Sequence, residues 1–66
     1  MSFAENLRDA MLWAGVSCPE LARSVHSTTQ AVYRWRGGAH VPHAEVIGEI
    51  ADALGCTCDY LIRGRA

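Results

Sequence analysis

The chain has 66 residues, half of them hydrophobic and a fifth charged, with a formal net charge of −1. That length is expected to form one domain, residues 1–66, with a smaller buried fraction than a longer chain would reach. The charge balance excludes a general polyanion binder, which needs a surplus of cationic side chains, and no apolar run approaches the ~20 residues of a membrane span. The opening MSFAENLRDA carries acidic residues where a secretory signal has a basic region and an apolar core. A cytoplasmic protein is therefore expected, with its three cysteines, Cys18, Cys56 and Cys58, reduced.

Phe3, Leu7, Ala10, Met11 and Ala14 recur at helical spacing and predict a first amphipathic helix over 2–14, closed by Gly15. Ser17 with Glu20 is a capping-box pair, and Pro19 sits in the first turn, where a missing N–H costs nothing. A second helix over 18–25 follows, its apolar face being Leu21, Ala22 and Val25. It ends near His26 because Ser27, Thr28 and Thr29 compete for backbone hydrogen bonds and favour caps. One of those hydroxyls caps a third helix, Thr29 to Arg36, which stops at Gly37-Gly38. The stretch GGAHVPH reads as a loop in which Pro42 fixes an extended entry. Val46, Ile47, Ile50, Ala51 and Leu54 mark a fourth helix over 44–54, ended by Gly55. Thr57 caps a last short helix, Cys58 to Ile62, so the fold class is all-α, without repeats, low-complexity tracts or linkers.

Function is most legible between Ser17 and Gly38, SCPELARSVHSTTQAVYRWRGG, two short helices joined by a tight turn. The second carries short polar side chains, a glutamine and two arginines, as a helix laid in the DNA major groove would. All six basic residues are arginine, and Arg34 and Arg36 fall in this helix while Glu45, Glu49, Asp52 and Asp59 lie downstream. Such a dipolar molecule keeps one basic face despite its net charge.

Over nearly its whole length the chain resembles the lambda-repressor-like helix-turn-helix family, and within it the short repressors and Cro proteins of lambdoid phages. The resemblance is carried by NLRDAMLWAGVS, PELARSV, TTQAVYRWRGG and IADALGCTCDYLIRG in that order. It implies a five-helix domain that binds a palindromic operator as a homodimer, with no cofactor. Base reading is implied for Thr29, Gln30, Tyr33 and Arg34. Phosphate contact is implied for the cap residue Thr28, and is expected of Arg36, Cys18 and His43. Dimer contacts are implied for the C-terminal segment, here Cys58, Tyr60 and Leu61. Val32 and Trp35 should face the core, and His26, where the family has a turn glycine, should take a left-handed conformation.

The chain departs from the family in three places. Cys18 replaces a glutamine at the start of the second helix. Met11 and Arg36 replace an arginine and glutamate that the family often pairs, which avoids an orphaned buried charge and leaves Arg36 free to turn to a phosphate. The loop with His40 and His43 lacks the family's lysines and arginines, and its imidazoles would add positive charge as pH falls.

Cys56 and Cys58 with His40 and His43 invite a metal reading, but one residue between the cysteines is shorter than structural zinc spacing, and Cys56 is expected to behave as a small hydrophobe. No metal site is expected, and no enzyme, since no nucleophile has an orienting base and no carboxylates are paired. The rival reading is a protein-interaction module such as an antitoxin-like, antirepressor or adaptor domain. Its support is the acidic balance and Trp13, which lies off the apolar stripe and suits contact with a second protein. An activator using the same DNA face is a third reading.

Overall fold

A computed structural model describes residues 2–64, which form five helices. They are α1 (Phe3–Ala14), α2 (Cys18–Ser24), α3 (Thr29–Gly37), α4 (Ala44–Leu54) and α5 (Cys58–Arg63). Each start is set locally. Ser17 accepts from the Glu20 amide while Glu20 accepts from the Ser17 amide, and the same reciprocal box joins Ser2 and Glu5. Residue 2, expected inside the first helix, is thus its cap. Thr28 and Thr57 accept from the amides of Ala31 and Tyr60, opening α3 and α5.

Four helices end in one hydrogen-bond pattern. An amide two positions past the helix, or three past α2, reaches back five residues: Val16 to the Met11 carbonyl, Ser27 to Ala22, Ala39 to Arg34 and Cys56 to Ala51. The residue before each donor is left-handed, and three of the four are glycine: Gly15, Gly38 and Gly55. The fourth is His26, with φ of 55°, as expected. A side chain there is strained, because the left-handed region brings Cβ against the carbonyl that follows.

The hydrophobic core takes one fully buried aliphatic residue from every helix: Leu7, Leu21, Val32, Ile50 and Leu61 are each 0% exposed. Phe3, Met11, Val25, Trp35 and Ile47 pack around them. α1 lies against α3 and α5, α2 against α3 and α4, and α4 against α5. Pro42 is buried, so the loop before α4 is anchored rather than splayed. No helix among the described residues is long and apolar enough to cross a membrane.

One polar side chain is inside this core. Asn6 is fully buried, and its Nδ2 donates to the Leu61 carbonyl at 3.0 Å. The last carbonyls of any helix lack an internal donor, and in a helix as short as α5 they are most of its acceptors. Gly64 takes the Tyr60 carbonyl and Asn6 takes Leu61, so a residue of the first helix finishes the last one.

Asn6→Ala should leave that carbonyl unpaired and cost about 1–3 kcal/mol in urea unfolding. Conversely, His26→Gly should raise stability by roughly 0.5–1 kcal/mol by removing the left-handed side chain, read as a higher melting temperature. The Glu5 and Glu20 carboxyls are held below their ordinary range by hydrogen bonds from the Ser2 and Ser17 backbone amides and then from the serine side chains. Lowered folded values mean stability that is present above the unfolded carboxylate range and lost as pH falls through the folded one. Helical circular dichroism in an acid titration should therefore fall less steeply for Glu5→Gln/Glu20→Gln than for the parent.

Candidate nucleic-acid interface

α2 and α3 pack directly on each other, and Val32 and Trp35 hold α3 to the core with 0% and 5% exposure. Helical geometry then sends the other side outward. Gln30, Tyr33 and Arg34 are exposed and Thr29 is half-buried, so the four residues expected to read bases form one accessible edge. Among the described residues no hydrogen bond engages the side chains of Gln30, Tyr33 or Arg34, and their donors and acceptors are available to an outside partner. Thr28 caps α3 while staying exposed, so the positive end of the helix dipole faces the same way as this edge.

Two of the expected phosphate contacts are corrected. Cys18 is buried, at 5% exposure, and its Sγ accepts from Arg36 Nη1 at 2.9 Å, so its thiol does not reach the surface. Arg36 is half-buried rather than free, with its guanidinium carbon 6.0 Å from the centre of the Tyr33 ring. The cause lies in what surrounds the side chain. Apolar Met11 offers the guanidinium nothing to pair with, and the polarizable sulfur of Cys18 is the acceptor that α2 brings within reach. Arg36 Nε is buried without a partner, which marks the arrangement as an incomplete substitute. What Arg36 does instead is brace Tyr33, at the outer limit of a cation–π contact.

Arg8 is the residue that sequence reasoning missed. From α1 it donates through Nη1 to the Arg36 carbonyl at 3.0 Å, securing the negative end of α3 and placing a second guanidinium beside Cys18, Tyr33 and Arg36. No local signal marks a pair 28 residues apart. His43 is exposed and is the N-cap of α4, but its side chain makes no capping hydrogen bond, which leaves the imidazole available at the surface.

The residues expected at a dimer contact divide. Cys58 is exposed and Tyr60 half-buried, but Leu61 is fully buried in the protomer and is corrected to a core residue. In a helix the neighbouring position turns by about 100°, and Ile62, 52% exposed, takes the outward place instead. Burial, and next the neighbouring Cys58, push the Cys56 thiol up. Among the described residues no three His, Cys, Asp or Glu side chains come together as a metal site.

A family model described as a helix-turn-helix domain matches residues 2–60. Among solved structures, the P22 c2 repressor protein in complex with a synthetic operator is similar with a TM-score of 0.91 at 23% identity, covering 98% of each chain. The solution structure of the DNA-binding domain of the P22 c2 repressor matches with a TM-score of 0.92 and 23% identity, over 97% of this chain and 84% of that one. Comparison with curated protein sequences gives no match. The all-α, five-helix architecture and the phage-repressor resemblance expected from the sequence agree with these findings.

Thiol chemistry reports the three cysteine environments separately. With a bulky disulfide reagent, Cys58 should react first, Cys56 more slowly because burial raises its thiol, and Cys18 only on the timescale of unfolding. Mass mapping after timed quenching reads this order.

Proposed function

From the premise that the chain belongs to the helix-turn-helix domain family, we propose that it is a sequence-specific DNA-binding transcriptional regulator of the phage-repressor kind. The observation that carries this is the uncovered polar edge of α3, presented by a core that fixes its opposite side. Gln30 pairs with adenine N6 and N7, Arg34 with guanine O6 and N7, and Thr29 meets a thymine methyl, while Tyr33 is braced for a base or phosphate by Arg36. The Thr28 cap, with the first amides of α3, sets the register on a phosphate, and the exposed His43 imidazole offers a further phosphate contact. Two copies on a palindromic operator place their α3 helices in successive major grooves, about 34 Å apart. An operator overlapping a promoter would be repressed by occlusion of polymerase. The P22 c2 repressor structure with its synthetic operator supports this reading by fold. No cofactor and no enzymatic step belong to it.

Selection of binding sites from random duplex DNA should return a palindrome, and no enrichment would overturn the reading in favour of a protein-interaction module. On the selected site Gln30→Ala should cost about 1–3 kcal/mol and relax preference at one base pair, measured by gel shift against substituted sites. Affinity should fall with salt at a logarithmic slope near −0.9 per phosphate contact, whereas a partner held by apolar contact would show little dependence.

A further inference from the structure

A groove beside the α3 edge holds two guanidiniums from helices that are not consecutive in the chain. Arg8 of α1 and Arg36 of α3 line it together with Ser17, Cys18 and Tyr33. Their hydrogen bonds go to a carbonyl and a sulfur rather than to carboxylates: Arg8 Nη1 donates to the Arg36 carbonyl at 3.0 Å, and Arg36 Nη1 to Cys18 Sγ at 2.9 Å. The three carboxylates of α1 and α2 are committed elsewhere. Glu5 accepts from the Ser2 amide, and Glu20, which also borders the groove, accepts from the Ser17 amide at 2.9 Å. Asp9 lines a different depression, beside Trp13 and Tyr60. The paired guanidiniums therefore keep their charge for a partner outside the protein, and a recess lined by cationic side chains concentrates anions.

We propose that this groove receives a phosphate of the DNA backbone and that Arg8 is the residue that binds it, which extends the contact from the helix-turn-helix onto α1. The inference rests on the DNA-binding function proposed above. Charge complementarity and continuity identify the occupant. Tyr33 belongs both to the groove and to the exposed row it forms with Gln30 and Arg34, so a duplex whose bases meet that row brings a sugar–phosphate strand past the groove. Arg36 is withheld from that strand, with one nitrogen on Cys18 and another buried. Arg8 is exposed, spends one N–H on α3 and keeps the rest of its fork, which suits the oxygens of a phosphate. A single guanidinium then ties the last turn of α3 to the DNA strand, and the phosphate contact sets the register of the reading helix on the duplex.

A salt series of binding titrations with the full chain tests this, on the duplex returned by site selection and on a random-sequence duplex. Arg8→Gln should weaken binding to both by a similar factor, about tenfold at low salt, and should make the plot of log affinity against log salt shallower by about 0.9, the share of one phosphate. Arg8→Lys keeps the charge and should keep the parent slope while losing part of the affinity, because an ammonium lacks the planar fork that serves the α3 carbonyl and a phosphate together. A purely structural role for Arg8 would lower affinity or melting temperature without moving the slope. Arg8→Gln with the parent slope therefore overturns the proposal, whatever its affinity. A loss confined to the selected duplex overturns it as well, and makes Arg8 a determinant of sequence preference instead.

The nuclear magnetic resonance signal of the Arg8 Nε–H gives a second readout. It should move on adding either duplex and stay in place with inorganic phosphate at equal ionic strength. A shift with inorganic phosphate alone assigns the groove to a free anion and overturns the DNA assignment. A parent chain that binds no duplex removes the DNA-binding function and this contact together, whereas a parent that binds, with Arg8→Gln matching it, removes the contact alone.

Discussion

Val32 and Trp35 are the two side chains by which α3 is held, and the proposed interface exists because they are buried. A helix of nine residues is too short to persist alone in water, since nucleation costs more than so few hydrogen bonds return. Its order is lent by the core. Once Val32 and Trp35 are seated in the core they share with α1 and α2, the roll of the helix is set, and Gln30 and Arg34 point outward. Arg8 secures the last turn from α1, and the left-handed His26 sets the angle at which the chain enters from α2. Packing, capping and one strained turn residue thus act on the same variable, the orientation of a few polar side chains.

Much of this was written locally in the sequence. The Ser17–Glu20 box, the glycines after α1, α3 and α4, and the apolar stripes of α1 and α4 each depend on residues within a turn of one another, so spacing alone reveals them. Ser2 and Glu5 carry the same signature as Ser17 and Glu20 and show that even a local signal is overlooked when it coincides with the edge of an apolar stripe. The unread features were those made through space. The Asn6 bond to Leu61 spans 55 residues, the Arg8 bond to Arg36 spans 28 and the Arg36 bond to Cys18 spans 18. Leu61 and Ile62 show a finer limit, because in so short a helix two adjacent aliphatics leave the buried one undetermined until α1 is in place.

The cluster of Met11, Cys18 and Arg36 shows how a small core accommodates a guanidinium that has no carboxylate beside it. A guanidinium with no carboxylate beside it either turns to solvent or finds a softer acceptor. Here it does some of each, with one nitrogen on sulfur, one buried without a partner, and the plane near a tyrosine ring. The positive charge stays near α3 while its freedom is reduced, which limits the geometry in which Tyr33 can meet a partner.

Closure between Asn6 and Leu61 also bears on the order of assembly. The interface between α1 and α5 is as extensive as any other between helices, and it must bring together segments at opposite ends of the chain, which slows folding relative to purely local packing. The entropy of closing such a loop grows only slowly with its length, yet it is met before the contact returns anything. Until Leu61 arrives, Leu7 and Ile50 have one wall missing, and a nascent chain carrying only the first four helices would show that apolar floor to the ribosome surface and to any chaperone nearby.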